Sequence, residues 1–217
     1  MNLKGGNLKV ADLGCGSGAQ TLDLAKALEA EITAIDVFPA FLDKLEQNIS
    51  AEETKAEIKI MEGSMDSLSF DKESFDIFWS EGAIYNIGFE KGVKYWNQFL
   101  KPGGFLAVTE VTWLTQDKPK EIEDFWQEGY SEIATAGEKI DVLENHGYSL
   151  VGYFVLDQDS WLKNYYEPMI LRFESFLVKH GYSEGAQRVV DEHKEEIELY
   201  KRFKEYYGYG FYVARKD

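Results

Sequence analysis

Cysteine is nearly absent: the 217 residues contain one, Cys15, so no disulfide can form within the chain. A single thiol also excludes iron–sulfur radical chemistry, which needs several sulfur ligands. Histidine is scarce too, with three residues far apart. His146 and His180 each precede a glycine that would end a helix, and His193 lies in a highly charged run, so no metal site is predicted. Basic residues are few: 23 Lys and Arg stand against 39 Asp and Glu, for a net charge of −16. With no basic cluster, neither a nucleic-acid nor an anionic-membrane partner is expected, and a small-molecule partner is. Long apolar runs are missing, and the N-terminal MNLKGGNLKV is short and polar. Neither a signal peptide nor a membrane span is read, and the expected location is cytoplasmic. The oligomeric state is not legible. No repeat, linker or low-complexity stretch appears.

What is present is a core and a glycine-rich turn. Apolar residues make up 44% and aromatics 15%, enough for one domain spanning 1–217. Leu8, Val10 and Leu13 form a short apolar run that feeds into Gly14, Gly16 and Gly18. Behind them Leu22, Leu24, Ala25 and Leu28 follow a helical period, giving strand, tight turn and helix. Glycines there permit positive φ and leave no Cβ between backbone and ligand, while the helix start offers unsatisfied N–H groups. A second strand, 31–36, ends on Asp36, where α/β proteins grip a ribose. Two ligand classes fit. As G-x-G-x-x-G/A, Gly14, Gly16 and Ala19 match a dinucleotide fingerprint. As acid-x-G-x-G-x-G, Asp12 to Gly18 suits a cationic ligand, because a carboxylate under the turn repels a pyrophosphate and attracts an ammonium or sulfonium.

Further along, Phe38, Leu42, Leu45 and Ile49 mark one helix face, with Pro39 in its first turn. Strands are predicted at 56–61 and 75–80, the latter a nearly continuous apolar run suited to a buried parallel sheet. A helix over 90–100 ends at LKPGG, and a fifth strand follows at 105–111. Helices over 119–127 and 135–146, a strand at 148–156, and a last strand at 208–215 complete the pattern. Residues 157–207 read as an insertion of two or three helices. Alternation at this spacing means a doubly wound, largely parallel sheet.

These residues resemble the class I S-adenosylmethionine-dependent methyltransferases. The resemblance rests on D-L-G-C-G-S-G at 12–18, Asp36, Met65 and Asp66 of GSMD, Phe75-Asp76-Ile77-Phe78, and the intact LKPGG at 100–104, covering roughly residues 8–111. It implies a seven-stranded Rossmann-like sheet of order 3-2-1-4-5-7-6 whose last strand is antiparallel. It also implies S-adenosylmethionine as cofactor. Asp12, Gly14, Cys15, Gly16, Gly18, Val37 and Ser80 would line the cofactor site, with Asp36 on the ribose, Asp66 on the adenine amine and Met65 beside the ring. Family members usually carry a helical segment before the first strand that covers the cofactor. Only about seven residues stand there here, and 157–207 is the candidate for a lid.

Ligand sites in such sheets open beyond the strand ends. The acceptor is therefore expected against Glu81, Tyr85, Asn86, Glu110 and Trp113, with Trp161 and Tyr165 as an aromatic wall from the insertion. Glu81 and Tyr85 are the candidate catalytic groups, Glu81 as base or as counter-charge. The Asn/Asp-Pro-Pro-aromatic signature of enzymes that methylate base amines and planar amides is missing; Ser80-Glu81-Gly82-Ala83 stands in its place. The predicted activity is methyl transfer to a small molecule by in-line displacement. The alternatives are an NAD(P)-dependent oxidoreductase and a non-catalytic S-adenosylmethionine-binding subunit.

Overall fold

A computed structural model describes residues 7–217. The chain alternates strand and helix: β1 (Leu8–Leu13), α1 (Ala19–Ala27), β2 (Ala30–Asp36), α2 (Pro39–Ile49), β3 (Glu57–Glu62), β4 (Phe75–Ser80), α3 (Phe89–Asn97) and β5 (Leu100–Trp113). Then follow α4 (Lys120–Gly129), a two-residue β6 (Ala134–Thr135), α5 (Ala136–Asn145), β7 (Tyr148–Val155), α6 (Gln158–Trp161), α7 (Glu167–Lys179), α8 (Glu184–Phe203) and β8 (Tyr207–Lys216). A π-helical turn, Leu162–Tyr166, joins α6 to α7.

The sheet runs β3-β2-β1-β4-β5-β8-β7, with β6 added in parallel beside β5. This is the expected seven-strand order renumbered by one short extra strand. The first five strands pair in parallel, and the C-terminal strands are antiparallel. Reversal of chain order on either side of β1 and β4 places the β1, β2 and β4 ends at the switch point where such sheets bind ligands.

Burial explains the elements. Central β4 is buried on both sides, so Phe75, Ile77 and Phe78 need no polar alternation. On α3, Phe89, Val93 and Trp96 recur at helical spacing and all three are buried. The fully enclosed Trp96 also donates its indole N–H to the Met65 carbonyl at 2.8 Å, which anchors the loop after β3.

LKPGG differs from the expectation. Helix α3 stops at Asn97, and β5 already begins at Leu100, four residues before the motif ends. The register jumps from Phe75↔Leu100 to Ile77↔Phe105, so 101–104 bulge opposite Asp76 alone. Gly103 takes φ 77°, and a Cβ at Gly104 would lie 2.9 Å from the Lys101 carbonyl. Lys101 closes the bulge, its ammonium donating to both Asp76 oxygens at 2.8 Å.

The chain divides into two compact units. One runs as far as Glu110 and includes Ala136–Phe154 and Gly210–Asp217; the other comprises Val111–Thr135 and Val155–Tyr209. The first holds the main core around Phe78, Trp96, Leu100 and Leu143. The second is built on rings: Trp161 stacks between Tyr200 and Tyr209, with centroids 4.7 Å away on each side. Its long α8 buries Val190, Ile197, Tyr200 and Phe203 and turns its charged face outward.

Candidate cofactor site

The glycine turn is held from below by β2. The Ile35 carbonyl accepts from the N–H groups of both Gly14 and Cys15 at 2.9 Å, and Gly18 N–H closes onto the Cys15 carbonyl at 3.0 Å. Asp36, at the tip of β2, accepts from Gly16 N–H through Oδ2 and from Phe38 N–H through Oδ1, both at 2.9 Å. One carboxylate therefore ties the glycine loop to the β2–α2 turn. Both bonds are charge-assisted. Each oxygen still has lone-pair capacity for a further donor.

Gly14 and Gly18 could not carry side chains. Gly14 has φ 73°, and a Cβ there would lie 2.4 Å from the Ala83 Cβ and 3.3 Å from the Met65 terminal methyl. Gly18 has φ 87°, and its Cβ would meet Leu45 Cδ1. Three separate loops thus converge at Gly14, which joins Met65 to Ala83. Gly14→Ala is expected to cost about 2–3 kcal/mol of stability, from the left-handed backbone plus the clash. Urea unfolding of the variant beside the wild type checks this, and equal midpoints would contradict the convergence.

Asp12 sits one step deeper, 2% exposed. Its Oδ2 accepts from the Thr21 hydroxyl on α1 at 2.5 Å. Burial raises its pKa to about 7; the Thr21 bond opposes this, and the negative fields of Glu81 and Asp36 add to it. Burial also drives the Cys15 thiol up, so this thiol is a packed loop residue without nucleophilic character. Ser80, fully buried, donates to the Leu13 carbonyl at 2.8 Å and locks the end of β4 to that of β1.

Beyond β4, Glu81 accepts from the Trp79 indole at 2.7 Å, and burial raises its pKa. It lines a groove of about 400 Å³ between α1 and β4, with Gln20, Asp23, Leu24, Ile77 and Trp79. Gly82 N–H donates to Thr109 Oγ1 at 2.7 Å, which fastens this loop to β5. A 3₁₀ turn, Ile84–Asn86, follows: Asn86 donates to the Ala83 carbonyl at 2.9 Å, and Tyr85 is 44% exposed.

Other candidates are placed differently. Asp66 pairs with Lys91 at 2.8 Å and accepts from Ser64 at 2.6 Å, and the Lys91 bond lowers its pKa. Val37 is half exposed beside Asp36. Glu110 is fully buried against Lys139, Nζ to Oε1 3.1 Å, with that ammonium 4.4 Å from the Phe89 ring centroid. Trp113, Trp161 and Tyr165 belong to the second unit. There Trp113 and Trp161 are buried and both meet Tyr207 in T-shaped contacts, while Tyr165 is half exposed.

Sequence reading missed Thr21, Thr109, Lys91 and Lys139. Two of these left a trace: Thr21 is a polar residue on the apolar side of α1, and Lys139 stands one turn before the buried Leu143. Among the described residues no group of three or more His, Cys, Asp and Glu could hold a metal ion, and no helix is long and apolar enough to cross a membrane.

Residues 10–104 match the family model described as a methyltransferase domain. An uncharacterized methyltransferase of Emericella nidulans is 32% identical over 148 residues, covering 61% of this chain and 49% of its own. The chain spans about half the length of the first curated relatives it matches. Among solved structures, an S-adenosylmethionine-dependent methyltransferase of Geobacter sulfurreducens, in complex with S-adenosylhomocysteine, superposes with a TM-score of 0.83. It is 21% identical and covers 98% of this chain and 86% of its own. A second such complex, from Thiobacillus denitrificans, has a TM-score of 0.82 at 24% identity, covering 98% and 86%. The fold is that of the class I S-adenosylmethionine-dependent methyltransferases, and residues 10–104 match the methyltransferase-domain model.

Proposed function

We propose that the protein is an S-adenosylmethionine-dependent methyltransferase acting on a small-molecule acceptor. The observation that carries this reading is a glycine loop anchored to Asp36 above the buried Asp12. This donor and acceptor set suits a ribose diol with a cationic group nearby, and it repels a pyrophosphate. Gly16, where a Cβ would meet nothing within 4 Å, leaves room for the ligand, while Gly14, Cys15 and Gly18 let the loop pack closely beneath it. Val37, Met65 and Asp66 serve the adenine end, and Ser80 keeps the β1 and β4 ends in register. When bound, the cofactor supplies an electrophilic methyl carbon on a sulfonium.

In-line displacement asks the protein to hold the acceptor atom about 3–3.5 Å from that carbon, dry and aligned. Glu81 takes the acceptor role: a half-buried carboxyl, steadied by the Trp79 indole, either accepts the acceptor's proton or balances its positive charge. Tyr85 and Asn86 position the acceptor.

Titration calorimetry with S-adenosylmethionine, S-adenosylhomocysteine and NADH tests the reading. Micromolar binding of the first two is expected, and binding of NADH alone would establish an oxidoreductase instead. Once a thermal-shift screen of small amines and phenols has identified an acceptor, Glu81→Gln is expected to lower kcat/KM by about 10²-fold or more, with cofactor affinity nearly unchanged. Unaltered kcat/KM would remove Glu81 from the chemistry.

A further inference from the structure

Helix α7 carries two apolar faces, where a helix on the surface of a single chain needs one. Phe173, Phe176 and Leu177 are turned inward and pack with Ala186 and Val190 of α8. On the outer side Leu171 is 83% exposed and Val178 59%, and Pro168 and Ser175 are exposed in line with them. Pro168, Leu171, Ser175 and Val178 follow one another at steps of three, four and three residues, the interval that keeps a stripe facing a neighbouring helix. Charges flank this stripe in order: Glu167 and Glu174 on one border, Arg172 and Lys179 on the other, all exposed. They are the only charged residues of α7, so in a chain of net charge −16 this helix is neutral. The Ser175 hydroxyl already donates to the Arg172 carbonyl at 3.0 Å, and covering it leaves no donor unpaired.

We propose that this face of α7 is a homodimer interface, at which a second copy of the chain lays its own α7 alongside in parallel. Leu171 and Val178 form the seam, with Leu171 at the heptad position where leucine favours two-stranded pairing. The small Ser175 between them lets the two backbones approach. Charge selects the direction. Two parallel copies related by a two-fold axis set Glu167 against Arg172 of the second copy and Glu174 against its Lys179, each pair formed twice. An antiparallel arrangement sets acid against acid and base against base on the two borders. Charge also selects the surface, because two copies of a strongly acidic chain repel except where the local charge cancels. The contact is small: α7 has 13 residues and is about 20 Å long, at the low end of specific interfaces. A free helix of that length would spend its contact energy on folding, whereas α7 is already held by α8. The dimer is therefore expected to be weak and reversible, with a dissociation constant of about 10–100 µM.

Sedimentation velocity on the intact chain, from about 1 to about 500 µM, reads the equilibrium. The average mass is expected to climb from one chain towards two across that range. Leu171→Glu changes a side chain that the monomer leaves in solvent, so its urea midpoint is expected to match that of the wild-type monomer. Dimerisation is expected to weaken at least about tenfold in that variant. Arg172→Glu with Lys179→Glu makes both borders acidic, and Glu167→Lys with Glu174→Lys makes both basic. Each of these chains alone is expected to be monomeric, and an equimolar mixture of the two is expected to dimerise. Val178→Cys reports the direction: parallel copies bring this residue opposite itself, so mild oxidation is expected to link the dimer, while the native Cys15 stays buried. A wild-type chain that remains monomeric at the highest concentration overturns the proposal and leaves the face to a different protein. A dimer that Leu171→Glu and both charge variants leave intact overturns it as well, because the contact then lies elsewhere. A dimer broken by those variants whose Val178→Cys form resists cross-linking overturns the parallel arrangement.

Discussion

Lys139→Met is expected to lower the unfolding free energy by about 3–5 kcal/mol, the largest stability loss of any single change proposed for this chain. Lys139 Nζ lies 3.1 Å from Glu110 Oε1, and the two side chains are 3% and 1% exposed. Removing the ammonium leaves a carboxylate in the core without its counter-ion, and also removes the cation from the face of Phe89. Desolvation, which the pair shares while intact, is then no longer offset by the ammonium. Replacing both partners is a different experiment: Glu110→Leu with Lys139→Met removes both charges and is expected to recover most of the loss. Urea unfolding followed by circular dichroism measures all three variants against the wild type. A single variant as stable as the wild type would mean that Glu110 is already satisfied without Lys139.

Asp36→Ala is expected to weaken S-adenosylmethionine binding by about 10²–10³-fold. Two effects combine in that figure. The carboxylate holds Gly16 N–H and Phe38 N–H, each at 2.9 Å, so its loss frees the glycine loop from the β2–α2 turn before any ligand arrives. It also removes the proposed partner of the ribose hydroxyls, where charge-assisted hydrogen bonds are each worth about 1.5–3 kcal/mol. Asp36→Asn separates the two effects. It keeps an acceptor for one backbone amide and loses the charge, and an intermediate affinity is expected. Calorimetry with S-adenosylhomocysteine reads the same series without turnover. Binding by Asp36→Ala within threefold of the wild type would show that the ribose is held elsewhere.

These expectations draw on different sources. The strand, turn and helix around Gly14 to Gly18 are legible in the chain because the constraint is local: three glycines in seven residues, an apolar run before them and a helical period after them. Asp36 was visible for the same reason, as an acid at the last position of a strand pattern. The doubly wound, largely parallel sheet follows from alternation and from the handedness of crossovers, while its strand order comes from the family resemblance. LKPGG, by contrast, reads as a helix stop in the sequence, and its bulge is defined by Asp76 on another strand.

What the sequence by itself determined was the period of each element, the glycine turn and the acid beyond it, and through them the fold class. Each of these depends on neighbours within a few residues. Tertiary structure alone decided which polar groups meet: Thr21 on Asp12, Lys91 on Asp66, Lys139 on Glu110 and Trp79 on Glu81. Two of these pairs bridge elements 25 or more residues apart, Lys91 with Asp66 and Lys139 with Glu110. Trp79 and Glu81 are only two residues apart, yet burial between α1 and β4 sets their environment. Burial is what gives such groups their charge state and their energetic weight, and burial depends on how distant segments pack. A carboxylate in a sequence is only an acid; whether it anchors a loop, as Asp36 does, or lies buried against an ammonium, as Glu110 does, is settled when the sheet closes around it.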